Sequence, residues 1–139
     1  MENPSLPEWK HEEITGPLIE TFFRVYRTLE YGFLERVYLN AMRIEGRKAG
    51  LDIVQDVEIR VHYEGHIVGK YEADLVAGNA VIVELKAARE LAPEHEAQIL
   101  NYRKATPYEV GMLFNFGPKP RCQRFVFDNT RKGSLNWIK

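Results

Sequence analysis

The sequence predicts a single α/β domain, and three observations predict it. Apolar residues recur at helical spacing through the first third of the chain, the spacing changes to every second residue after Gly50, and a further helical stretch opening at Pro93 divides the strands that follow. Size and composition agree. With 139 residues, 45% hydrophobic and 28% charged, the chain falls among folded globular domains, and at that length folding buries roughly 70% of the unfolded surface.

Residues 1–13 contain Pro4 and Pro7 and little periodicity, and read as an extended, flexible lead-in. Thr15-Gly16-Pro17 resembles a helix start, and Leu18, Phe22, Val25 (or Tyr26) and Leu29 follow at helical spacing, so the first helix is expected over about 15–29. Tyr31-Gly32 interrupts it. A second amphipathic pattern, Leu34, Val37, Tyr38, Ala41 and Ile44, ends near Ala49-Gly50, where Gly suits a helix C-terminus. Val57, Ile59, Val61 and Tyr63 then alternate with Glu58, Arg60 and His62, as in a strand with one wet face. Glu64-Gly65 is a turn, a strand covers about 66–76, and Gly78-Asn79 is a tight turn into 80–86, a strand apolar enough to be covered on both faces. These make a three-strand meander. Pro93 with Glu94 and Glu96 opens the third helix, which ends before Pro107. Two further strands are expected at about 109–116 and 122–128, followed by a basic tail at 129–139.

No run approaches the ~18 consecutive apolar residues of a membrane span, and the acidic N-terminus lacks the pattern of a signal peptide, so the expected location is cytoplasmic. The lone Cys122 excludes an internal disulfide and a zinc site built on two or more thiolates. A net charge of −1 does not advertise a nucleic-acid binder. The distribution is uneven, however: residues 118–139 carry Lys119, Arg121, Arg124, Arg131, Lys132 and Lys139 against Asp128, a stretch that is either a phosphate-binding surface or a solvated tail.

Glu84 and Lys86 are the anomalous residues. They close an otherwise apolar strand, and the period of two puts both on one face with Leu85 on the other. Asp74 repeats the anomaly one strand earlier, and folding the hairpin about Gly78-Asn79 places it opposite Lys86 or Glu84. The three charges are expected to converge on one edge of the sheet. Two hard carboxylates a few ångströms apart outline a Mg²⁺ or Mn²⁺ site; the structural alternative is a salt bridge of Lys86 with either acid that merely ends the strand.

Asp74 followed by Glu84-Leu85-Lys86 resembles the D…(D/E)xK signature of the PD-(D/E)xK nuclease superfamily, with Ala73 where the name has Pro. Gln98 and Tyr102 resemble the QxxxY element of its RecB-like branch, and Gly32-Phe33-Leu34-Glu35-Arg36-Val37-Tyr38 is similar to the motif that names the GxxExxY family. The likeness extends over about 14–128, through ADLV, VIVELKA, HEAQILNY and the Asn115-Phe116-Gly117 triplet. It implies a restriction-endonuclease-like mixed sheet and Mg-dependent hydrolysis of nucleic-acid phosphodiesters, DNA ahead of RNA. It also implies roles. Asp74, Glu84 and the Leu85 carbonyl would bind the metal (Mg, or Mn), Glu35 would add a further acid from the second helix, and Lys86 would orient or activate the attacking water. Gln98 and Tyr102, at i and i+4, would present an amide and a phenol toward the same place.

Each residue also has a structural reading. Gly32 breaks two helices, Tyr38 lies on an apolar face, Gln98 and Tyr102 fit a satisfied helix surface, and His95 fits a helix cap. Phe114, Phe116, Phe125 and Phe127 are core or an interface of a homo-oligomer, core being favoured. A binding or assembly module on the same fold, catalytically silent, is the competing function.

Overall fold

The computed structural model describes residues 11–126. Most of the lead-in, Phe127 and the basic tail lie outside the described residues. Eight elements follow in order: α1 (Glu12–Leu29), α2 (Glu35–Lys48), β1 (Ile53–Tyr63), β2 (His66–Ala77), β3 (Val81–Lys86), α3 (Pro93–Lys104), β4 (Val110–Phe116) and β5 (Pro120–Val126). The sheet has the strand order β1-β2-β3-β4-β5. All neighbours are antiparallel except β3 and β4, which run parallel because α3 crosses over between them.

Local chemistry accounts for most boundaries. The first helix starts at Glu12, a turn earlier than Pro17 suggested, with Glu12 and Glu13 at the positive end of its dipole and the His11 carbonyl accepting from Ile14 and Thr15 N–H. At the Gly78-Asn79 turn both central residues have positive φ, 59° and 51°, and Ala80 N–H donates to the Ala77 carbonyl at 3.1 Å. That is the geometry of a two-residue hairpin whose twist matches its strands.

Two cores flank the sheet. On one face α1 and α2 bury Leu18, Phe22, Tyr38, Leu39 and Met42 against Leu75, Val83, Leu85, Phe114 and Phe116. On the other, α3 brings Ile99 and Tyr102 against Ile82, Leu113, Ala73 and Ile59. The strand β3 is thus buried on both faces, as its run of apolar residues predicts. Phe114 and Phe116 are core, and Phe125 packs partly buried beside the α3 cluster. No helix among the described residues is long and apolar enough to cross a membrane.

The strand starting at Ile53 is four residues longer at its N-terminal end than alternation from Val57 indicated. Asp56 explains the difference. Its φ of 56° interrupts the pleat, so Ile53 faces the α1/α2 core whereas Val57 and Ile59 join the α3 core, although all three are odd-numbered. Across from it, β2 also changes face at Asp74, Leu75 facing α1/α2 and Ala73 facing α3, although the φ of Asp74 is not positive.

The aromatic stack of the first core sets its stability. Phe22 lies 4.7 Å from Phe114 and 4.8 Å from Phe116, and Tyr38 stacks on Phe116 at 4.2 Å. Phe22→Ala is expected to lower unfolding stability by about 3–5 kcal/mol in urea titrations. The half-exposed Phe33, truncated in the same way, should cost less than about 1 kcal/mol.

Candidate active site

The sheet forks where the three anomalous charges meet. Strand β2 pairs with β3 only over Leu75–Ala77 and then leaves with β1 as a two-stranded ribbon. One step beyond the Leu75–Val83 pair, Asp74 lies across from Glu84, not Lys86. The cluster therefore sits at the end of the central strand β3, between the second and third of five strands, where the divergence of β2 opens the sheet.

At the fork the side chains replace the missing ladder bonds. Leu85 N–H donates to Asp74 Oδ2 at 2.7 Å, and Asp74 N–H donates to Glu84 Oε1 at 3.3 Å. Each carboxylate thus keeps one oxygen outside these backbone bonds. Asp74 is largely and Glu84 almost wholly buried, the latter 3% exposed. Burial and then the Asp74 charge push the Glu84 carboxyl up to about 9, and Glu84 shares a hydrogen bond with Asp74. Burial also raises Asp74, against the Leu85 N–H, which lowers it; the charge of Glu35 raises it further.

Lys86 is close enough to lower both carboxyls, yet it forms no ion pair with either of them. Its Nζ donates instead to Gln98 Oε1 at 3.1 Å, Gln98 Nε2 donates to the Tyr102 hydroxyl at 2.9 Å, and that hydroxyl donates to the Glu72 carbonyl at 3.3 Å. One turn of α3 therefore holds the ammonium beside the acids through an amide and a phenol. Burial raises the Tyr102 phenol, as do the charges of Glu84 and Asp74, whereas its bond to Gln98 lowers it.

Glu35 is the exposed first residue of α2, apart from the buried pair but electrostatically felt at Asp74. Leu85 puts its side chain into the α1/α2 core, so only its backbone serves the site. Tyr38 is structural: its hydroxyl donates to the Glu30 carbonyl at 2.6 Å and accepts from Phe33 N–H at 3.1 Å, clamping the link between α1 and α2. His95 caps α3, its Nδ1 accepting from Ala92 N–H at 3.1 Å. Burial pushes the Cys122 thiol up to about 11, so it is protonated at neutral pH and no nucleophile.

Asn115, which the sequence placed in the Asn115-Phe116-Gly117 triplet without a role, belongs to the supporting structure. It is 1% exposed, accepts from Ala88 N–H at 3.0 Å and donates to the Ala88 carbonyl at 2.9 Å, pinning the chain two residues after Lys86. A side chain at Gly117 would collide with that same carbonyl. The available signal was an amide inside the apolar strand VGMLFNF, the same kind of anomaly as Glu84.

Beside the site, a cleft of about 790 Å³ is lined by Arg89, Lys119 and Arg121 together with Glu90 and Glu96. It holds Lys119 and Arg121 of the basic stretch, whereas Arg124 is not part of its lining.

The sequence model of the PD-(D/E)XK nuclease superfamily matches residues 12–125, from the start of α1 to within one residue of the end of β5. No curated protein matches the sequence. Two solved structures resemble the chain loosely. One is the crystal structure of SSO0001, at 16% identity and a TM-score of 0.45, covering 72% of this chain and 54% of that one. The other is an alkaline exonuclease (LHK-Exo) from Laribacter hongkongensis, at 11% identity and a TM-score of 0.47, covering 94% and 65%. The chain thus spans just over half of the first and just under two thirds of the second. The mixed five-stranded sheet between two helices and one is the restriction-endonuclease-like architecture that the motifs implied. With the superfamily match running through every element that builds the fork, the chain belongs to the PD-(D/E)XK nuclease superfamily.

Proposed function

We propose that the protein is a divalent-metal-dependent phosphodiesterase that hydrolyses nucleic-acid strands, DNA ahead of RNA. The observation that carries this reading is a buried pair of acids, Asp74 and Glu84, with raised proton affinity and a lysine held beside them but not paired to them. A cation bound at such a pair would offset the mutual repulsion of its charges. Among the described residues no set of three or more His, Cys, Asp or Glu gathers for a metal, so the protein side of the site is two carboxylates, with the Leu85 carbonyl as a further oxygen. That donor set fits Mg²⁺ or Mn²⁺, which are held by one or two carboxylates and complete their shell with water and substrate phosphate. When bound, the ion supplies counter-charge for a phosphate and acidifies nearby water.

The remaining roles fall to the chain. Asp74 fixes the Leu85 amide, and through it the end of β3 from which Glu84 and Lys86 project. Lys86, tethered by Gln98, offers positive charge where negative charge grows on the phosphate oxygens. Glu35 adds a more distant acid. Within the superfamily we place the chain with the GxxExxY proteins: Gly32, at φ 121°, and Tyr38 shape the start of α2 that presents Glu35.

A second reading is favoured by one observation: both acids already satisfy backbone N–H groups of the fork, a structural use that a catalytically silent binding or assembly module would also need. Lys86→Ala separates the two. For the enzyme, the variant should keep its fold and the thermal stabilisation given by Mg²⁺ or Mn²⁺, and lose on the order of 10² or more in the cleavage rate of single- or double-stranded DNA or RNA. Asp74→Asn should abolish both the metal response and cleavage. No cleavage by nuclease-free wild-type protein with any divalent metal decides for the module.

The acid pair also makes the metal-free fold sensitive to pH. The folded protein retains on Glu84 a proton that the unfolded chain releases above about 4.5, so this contribution to stability is complete below that pH and is lost as pH rises through about 9. In EDTA the urea midpoint should fall between about pH 5 and 9, Glu84→Gln should flatten that slope, and Mg²⁺ should raise the wild-type midpoint most at the alkaline end.

A further inference from the structure

A second cleft, of about 600 Å³, opens on the other side of the Gln98–Tyr102 face, between α3 and the β1–β2 ribbon. Its wall is largely apolar, with Val61, Ala97, Ala105 and the rings of Tyr71 and Tyr102. Tyr71 is 55% exposed, and its ring lies 5.9 Å from that of Tyr102, tilted by 58°. An aromatic face is therefore left open to solvent one side chain away from the network that holds Lys86. The carboxamide of Asn101 offers a donor and an acceptor at the rim, where Glu94 and Lys104 balance in charge. A wall of this kind attracts a flat, polar-edged ring and not a phosphate; the cationic groups for phosphate are Arg89, Lys119 and Arg121 in the other cleft.

We propose that this cleft takes an unpaired nucleobase of the substrate, stacked on Tyr71, and that the protein therefore acts on single-stranded or locally unpaired nucleic acid. The inference rests on the phosphodiesterase reading and deepens it. In a duplex the base faces are already covered by their neighbours, so only a strand with free bases can fill the cleft while its backbone lies at Asp74 and Glu84. Stacking on one aromatic side chain tolerates every base, because each has a π-face, so the selection is for strandedness and not for sequence.

The test is fluorescence anisotropy with Ca²⁺ in place of Mg²⁺, using a labelled thymidine strand of about 12 nucleotides, an abasic strand of the same length, and a duplex. Wild-type protein should bind the thymidine strand at least about fivefold tighter than the abasic strand and the duplex. Tyr71→Ala should lose at least about fivefold on the thymidine strand and nothing on the abasic one, and Tyr71→Phe should restore the difference. Cleavage of the same strands by wild-type protein in Mg²⁺ is followed in parallel. Cleavage that persists while Tyr71→Ala binds the thymidine strand as wild type does, or wild-type affinity for the duplex equal to that for the single strand, overturns the base cleft and leaves the nuclease reading standing. Absence of both binding and cleavage overturns the two together.

Discussion

The hydrogen bond from Leu85 N–H to the Asp74 carboxylate closes the place where the sheet splits, and the site depends on it. A strand that leaves its neighbour strips that neighbour of ladder bonds, and buried N–H groups without partners are costly. Here the two acids take over as acceptors, which brings them together in a setting where neither ionises freely. One geometric event, the departure of β2, thus produces both the opening and the charge that occupies it.

Everything around the fork holds it in shape. The crossover through α3 makes β3 and β4 parallel neighbours, so Lys86 lies beside Asn115, and that residue pins the next turn of chain at Ala88. The same helix reaches back with Gln98 and Tyr102 to hold Lys86 beside the carboxylates without an ion pair to either. On the opposite face, the stack of Phe22, Phe114, Phe116 and Tyr38 anchors the strands and, through Tyr38, the start of α2 where Glu35 stands. A direct Lys86–carboxylate pair would neutralise the acids from within. The tether to Gln98 leaves both the acids and the ammonium open to other partners.

Much of this was legible in the sequence, for identifiable reasons. Periods of 3.6 and 2 mark the helices and strands wherever one face is wet, and the Glu64-Gly65 and Gly78-Asn79 turns declare themselves because Gly65, Gly78 and Asn79 suit the positive φ that such turns require. Asp74, Glu84 and Lys86 stood out because charge is expensive in an apolar strand. The start of β1 was obscured because Asp56 reverses the side-chain phase, and a periodicity argument cannot pass through a reversed pleat. The open face of Tyr71 was hidden for a different reason: only the placement of α3 against the ribbon makes an exposed tyrosine one wall of a cleft.

We propose that the two acids of the fork take a divalent cation as their partner. Carbon-13 NMR titration of the Glu84 and Asp74 carboxyls tests it directly, with and without Mg²⁺. Without metal, Glu84 should titrate far above the ordinary carboxylate range, near 9, and saturating Mg²⁺ should bring it down by several units as the ion displaces its proton. A Glu84 carboxyl that titrates near 4.5 without metal and does not respond to Mg²⁺ would contradict the account.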